Sequence, residues 1–441
     1  MDFLADTGVW FANASSPSPV CSPARASLLT GRLPSQHGIH DFLSETGEDA
    51  RDWLAGEVLL PELLQEAGYF TSLVGKWHLS GSGRPPDDIF DKWLSYDVGA
   101  EGWRNQYLHH GRVHLLDNGE PLTIEGSQTA ELARRVVDII EDRPPDRPFF
   151  LLFAPTDTHA PFEGQPEEWA ESYRRIGFVD IPSDEISALP ANNAASLVPD
   201  DPTEMLAQYY AAVSAQDEWL GEILSELDAM GDLEDTLVIV TSDHGHMNGH
   251  HGLVGKANAT LPQNLYDEVV RVPLVMRWPG KIPEAMRSEL FVDHLDLFMT
   301  ILDGAGIELD EATRLRISSP GRSVLPALAD STVKWRGFRF SEHGNARLIA
   351  DERWKMVRRY PPLDPRFGDE LYDLRTDPRE TTNLAEAPDF ADERRRLGEV
   401  LDGYFGRYED PDKSGTRIME QPPANGREPW TRLVESLNPP E

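Results

Sequence analysis

A single cysteine stands among 441 residues, and its neighbours give it chemistry. In PVCSPARASLLTGRLPSQHG, Pro19 to Gly38, Ser22 and Pro23 sit where a helix begins and Gly31 where it ends. Cys21 therefore falls at a helix N-terminus, where backbone N–H groups and the dipole attract an anion. A nucleophile there faces a site suited to a sulfate or phosphate group. Arg25, one turn later, can reach back to the same spot. The bland reading of a lone cysteine is a small buried hydrophobe, and one thiol excludes an internal disulfide.

Further polar groups sit at the ends of apolar runs. Lys76 and His78 follow FTSLVG, and His159 follows FFLLFAP in Thr158-His159-Ala160-Pro161. Asp243 and His244 end LVIVTS, the edge at which open α/β sheets bind ligands. His246, His250 and His251 come close behind and raise a zinc cluster as a rival, but the spacing is not HExxH. Taken one at a time, Lys76 reads as a surface charge, and His78 and His159 as satisfied loop histidines.

Taken in order, these segments resemble the type I, formylglycine-dependent sulfatases of the alkaline phosphatase-like superfamily. Cys21-Ser22-Pro23-Ala24-Arg25 matches the family's C-x-P-x-R motif, and Leu29-Thr30-Gly31-Arg32 continues it. Gly75-Lys76-Trp77-His78-Leu79, the His159 loop, Thr241-Ser242-Asp243-His244-Gly245 and Gly255-Lys256 follow in family order. ELYDLRTDPRETTNL, Glu370 to Leu384, resembles the C-terminal signature. The resemblance implies that a maturation enzyme oxidises Cys21 to formylglycine, whose hydrated aldehyde is the nucleophile. It implies that Lys76 and Lys256 contact the sulfate beside Arg25. His78 would hold a hydroxyl of the hydrate and later act as base, and His159 would protonate the leaving alcohol. Position 21, Asp243 and His244 would ligate a divalent cation, with calcium ahead of zinc because a hard cation prefers oxygen.

The implied reaction is hydrolysis of a sulfate ester on a small molecule or carbohydrate. Hydrolysis of a phosphodiester or phosphonate monoester is the alternative, and an inactive truncated relative is a third reading. Family members open with a strand ending in paired aspartates that bind the cation, whereas this sequence opens at the next segment, Asp2-Phe3-Leu4-Ala5. Either the start is assigned too late, or the chain is short and its cation site half-built. Loops Asp97 to Gly119 and Phe162 to Pro199 are expected to shape the pocket, with His343 and Arg347 reaching it from a small domain.

The elements that must position these residues alternate between strand and helix. Buried strands are expected at Phe70 to Trp77, Arg147 to Pro155, Asp235 to Asp243 and Arg271 to Pro279. Helices are expected at Ser127 to Asp142, at Pro202 to Met230 and after Asp293. The pattern predicts an α/β fold with a mostly parallel central sheet, helices on both faces, and a small C-terminal antiparallel unit. The expected boundaries are 1–330 for the catalytic domain and 331–441 for the small one, with a tail after Asp410 looping over the surface.

Composition narrows the partners. The formal charge is −35, and only seven of 41 basic residues are lysines, which suits either a salt-adapted protein or an acidic surface from a GC-rich genome. Binding to nucleic acid or an anionic membrane is disfavoured. No run approaches the ~18 apolar residues of a membrane span, and the N-terminus shows no signal peptide. As given, the sequence reads as cytoplasmic, although an export signal could be lost with a missing N-terminus.

Overall fold

The computed structural model describes residues 1–44, 51–86, 88–98, 103–182 and 186–437, with the backbone alone at 103 and 104. Its strands, in chain order, begin with β1 (Val9–Ser15), β2 (Phe70–Gly75), β3 (Lys92–Tyr96), β4 (His110–Asp117), β5 (Glu120–Ser127) and β6 (Phe149–Ala154). They continue with β7 (Val238–Thr241), β8 (Leu274–Arg277), β9 (Met286–Asp293), β10 (Arg339–His343), β11 (Ala346–Ala350), β12 (Trp354–Arg359) and β13 (Glu370–Asp373). The chain divides into two compact units. The first holds Met1, Leu43–Asp180 and Pro199–Thr236; the second holds Asp2–Phe42, Ile181–Val198 and Leu237–Glu441.

In the first unit the strands run in the order β5-β4-β3-β2-β6. Strand β2 pairs in parallel with β3 and β6, while β3–β4 and β4–β5 are antiparallel. The helix Gln128–Asp142 buries Leu132, Ala133, Val136, Ile139 and Ile140, the stripe its sequence period predicts. Ser127 caps it, its Oγ accepting from Ala130 N at 3.4 Å. The helix packs on the sheet and against the long helix Thr203–Ala229. Strand β6 ends the sheet with its five apolar residues, Phe149 to Phe153, only half-buried.

Much of the expected pocket loop Asp97 to Gly119 is instead ordered structure. Residues 99–102 lie outside the described part, but β4 and β5 form a hairpin with Asp117 opposite Glu120. The two residues between them, Asn118 and Gly119, both take positive φ, 46° and 91°. Asn-Gly is the strongest short hairpin signal, and it overrides the polar, loop-like texture around it.

The second unit carries the order β7-β8-β1-β9, with β1–β9 parallel and β7–β8 and β1–β8 antiparallel. Val9, Phe11 and Ala14 of β1 join a core with Leu274, Met276, Val292 and Leu297. The same unit contains the antiparallel sheet β10-β11-β12-β13. Alternation along β11 sends Ile349 toward Leu397, Leu401 and Phe405 of the helix Ala391–Tyr408. Ala346, Leu348 and Ala350 face Met247, Leu253 and Tyr266. The sequence after Asp410 does not simply loop over the surface: Pro429–Leu437 is a helix, and Trp430 is buried above Gly344, where a Cβ would meet its ring at 2.1 Å. An indole finding an apolar seat outweighs the Pro- and Gly-rich composition around it. Among the described residues, no helix is long and apolar enough to cross a membrane.

Candidate active site

Helix Cys21–Thr30 starts at Cys21, after an extended Val20 that offers no side-chain cap. Gly31 ends it at φ +66°, where a Cβ would strike the Phe298 ring at 2.6 Å. That close approach requires glycine twice over. The helix thus presents its first turn, and the buried Cys21, at a fixed place in the second unit.

Two loops of the same unit close on the thiol. Lys256 Nζ donates to Cys21 Sγ at 2.7 Å, and His244 Nε2 lies 3.2 Å from the same sulfur. Asn264 Nδ2 steadies the lysine's loop by donating to the carbonyls of Lys256 and Ala257 at 3.1 Å each. Arg25 Nε donates to Asp243 Oδ2 at 2.9 Å, and its Nη2 stands at the same distance. Cys21, Arg25, Asp243, His244 and Lys256 therefore form one group.

The state of His244 follows from its neighbours. Its Nδ1 lies 2.6 Å from Gly245 O, a carbonyl that can only accept, so the proton sits on Nδ1. That leaves the Nε2 lone pair directed at the Cys21 side, as a metal-binding imidazole requires. Behind it, His294 Nε2 donates to Ser242 O at 3.0 Å, and Ser242 Oγ donates to His244 O at 2.8 Å. His294 fixes the turn that carries both Asp243 and His244. Its residue type at the end of β9 was the available signal, and no motif drew attention to it. Burial pushes its pKa down to about 4. His246, near Lys256, is pushed down to about 3, chiefly by burial and then by that ammonium.

Ligand atoms of Cys21, Asp243 and His244 all lie within 4.8 Å of one another. One carboxylate, one lone-pair imidazole and the position-21 side chain fit part of the shell of a divalent cation. Sulfur stands here where an oxidised residue 21 would present oxygen, the harder donor.

Lys76, His78 and His159 belong to the first unit. Lys76 Nζ lies 5.2 Å from the centroid of the Tyr107 ring, and His159 stacks on that ring at 4.2 Å and 15°. His159 Nδ1 is 2.6 Å from Ala160 O and must donate to it. His78 likewise gives its Nε2 proton to Leu43 O at 3.1 Å. Tyr107, unlike Lys76 and His159, was not marked by the sequence.

Two expected pocket residues serve other ends. His343 is fully buried, 3.9 Å from the equally buried Asp41. Arg347 donates to Glu409 and to the hydroxyls of Ser35 and Ser414, and its guanidinium lies 3.9 Å from the Phe405 ring centroid. Carboxylate, hydroxyls and ring occupy the Arg347 cation inside its own unit.

The fold is that of the alkaline phosphatase-like α/β class. A solved structure described as in complex with its substrate D-glucosamine-2-N,6-O-disulfate matches with a TM-score of 0.77 at 22% identity, covering 94% of this chain and 93% of that one. The phosphonate monoester hydrolase of Agrobacterium radiobacter matches with a TM-score of 0.71 at 22% identity, covering 92% and 90%. The family model described as Sulfatase matches residues 1–307, and one described as N-sulphoglucosamine sulphohydrolase, C-terminal, matches 251–404. The chain is 29% identical to the uncharacterized sulfatase YidJ of Escherichia coli (strain K12), over 94% of this chain and 83% of that protein. It is 30% identical to a choline-sulfatase of Rhizobium meliloti (strain 1021), over 87% and 77%. This chain belongs to the sulfatase family.

Proposed function

We propose that the chain hydrolyses a sulfate ester of a carbohydrate or aryl alcohol, with Cys21 oxidised to formylglycine and a calcium ion held in part by position 21, Asp243 and His244. The observation that carries this reading is the convergence of Lys256 Nζ and His244 Nε2 on Cys21 Sγ at a helix start. The oxidised residue supplies a hydrated aldehyde as a nucleophile that can reset itself, and the cation supplies charge against the sulfate oxygens. Lys256 and Arg25 set positive charge around position 21, and family resemblance assigns Lys76 to the same anion. His159 commits Nδ1–H to Ala160 O, so the proton it gives to the leaving alcohol sits on Nε2. His78 commits Nε2–H to Leu43 O, so Nδ1 is its basic atom for the release step.

Co-expression with a formylglycine-generating enzyme, followed by mass spectrometry of the peptide spanning Cys21, tests the nucleophile. Aldehyde at position 21, together with sulfate release from an aryl sulfate that a chelator abolishes and calcium restores, is the expected result. Thiol throughout, or full activity of the thiol form, sinks it. The structural likeness to a phosphonate monoester hydrolase gives a second reading. Rates on paired aryl sulfate and aryl phosphonate substrates separate the two.

A further inference from the structure

We infer that Tyr107 is a positioning residue: its ring fixes the plane of the His159 imidazole and seats the Lys76 ammonium. The inference rests on the sulfate-ester reading above for the role of His159.

Three side chains of the first unit meet at one ring. One face relation is the His159 stack, with centroids 4.2 Å apart and planes within 15°. The other is Lys76 Nζ, 5.2 Å from the same ring, within the range where an aromatic face attracts a cation. The Nδ1 hydrogen bond does not by itself stop the swing of a loop imidazole about that bond. Stacking removes the swing, and with Nδ1–H held by Ala160 O the direction of Nε2 is set.

The segment carrying Tyr107 is itself held on all sides. Asn105 Nδ2 donates to His114 O at 2.5 Å, and His114 N donates back to Asn105 Oδ1 at 2.9 Å. Gln128 Nε2 donates to Leu108 O at 3.1 Å, and its Oε1 accepts from Tyr96 OH at 2.8 Å. On the histidine side, Asp157 accepts from Thr129 Oγ1 at 2.5 Å and from Gln165 Nε2 at 2.9 Å. The same carboxylate faces His109 Nδ1 at 2.5 Å, which ties the Tyr107 strand entry to the His159 loop. Such investment of buried polar groups is out of proportion to a ring that only fills space.

The test compares Tyr107→Leu and Tyr107→Phe with the matured parent across aryl sulfates of graded leaving-group acidity. Protonation of the leaving oxygen matters for phenyl sulfate and little for 4-nitrophenyl sulfate. Tyr107→Leu is expected to lose about 10–100-fold in kcat/KM on phenyl sulfate and about twofold or less on 4-nitrophenyl sulfate. Tyr107→Phe, which keeps the ring, restores the parent profile. Equal losses on both substrates, or none, overturn the inference. Should the parent hydrolyse no sulfate ester, the function reading fails separately, and a second measurement still decides the stack. In histidine-labelled protein, the His159 ring protons, assigned through His159→Gln, are expected upfield from the ring current of Tyr107. That shift disappears in Tyr107→Leu and survives in Tyr107→Phe; its absence from the parent overturns the placement.

Discussion

Around Cys21 the fixing contacts are electrostatic. An ammonium reaches the sulfur, a guanidinium grips Asp243, and a lone-pair imidazole faces the thiol. Around His159 the fixing contacts are a ring face and a backbone carbonyl, with the charged Asp157 set behind in a buried hydrogen-bond network. The first arrangement depends on which groups are ionised, and its Coulomb terms fade with salt wherever solvent enters. The second depends on shape, which salt leaves alone.

The comparison can be broken most sharply at its charged end. Cys21→Ala, which on the proposed reading removes the nucleophile, should lower kcat by roughly 10³-fold or more. Lys256→Ala should cost about 10²–10³-fold, with Lys256→Arg recovering part of it. A surviving rate in Lys256→Ala would mean that its contact with Cys21 plays no part in the reaction. At the ring-held end, Asp157→Ala leaves the donors of Thr129 and Gln165 without their acceptor and should cost about 3 kcal/mol in urea unfolding. Asp157→Asn, which keeps an acceptor oxygen, should cost less.

Acidity acts on buried groups of the second unit. Burial pushes His251 down to about 4 and His343 down to about 3, while it pushes the Asp41 carboxyl up to about 8. Below pH 6.5 the unfolded chain takes up protons on both histidines that the fold refuses, so acidification destabilises. Between about pH 4 and 8 the fold instead keeps a proton on Asp41 that the unfolded chain releases, so rising pH destabilises. His246 and His294, likewise pushed down by burial, act in the same direction as these two histidines. Each contributes about 1.4 kcal/mol per pH unit within its own window. Urea midpoints at several pH values check this, and an Asp41→Asn protein whose decline toward pH 8 matches the parent's contradicts it. Removing His343, as His343→Gln, should flatten the acid limb. The smallest effect is expected at the β4–β5 turn, where Gly119→Ala should cost about 1 kcal/mol because φ is +91° there.

What the sequence made legible follows the same division. Charged and sulfur-bearing residues at strand ends and a helix start announce themselves by type and order, so Cys21, Arg25, Asp243, His244 and Lys256 could be grouped before any coordinates. The apolar runs starting at Phe70, Arg147, Asp235 and Arg271 gave strands within a few residues of β2, β6, β7 and β8. Tyr107 and His294 stayed hidden. An aromatic platform and a buried histidine behind a turn are defined by tertiary neighbours, and neither has a spacing to read. His343 and Arg347 misled for the converse reason: polar residues on a strand look exposed until other elements pack over them. Trp430 was lost in a tail whose composition masks one well-seated indole.

The topology of β1 has a consequence for synthesis of the chain. Among the described residues, strand β1, which leads into Cys21, has its strand partners in β8 and β9 and a further bridge from Ser15 to Arg271. A ribosome must add about 250 residues after the cysteine before those partners emerge, a delay of roughly 12–50 s at usual elongation rates. During that interval the thiol rides on unpaired chain, open to any enzyme that must handle it; afterwards it is sealed at 2% exposure. The order of the strands thus acts as a timer, keeping residue 21 within reach first and enclosing it last.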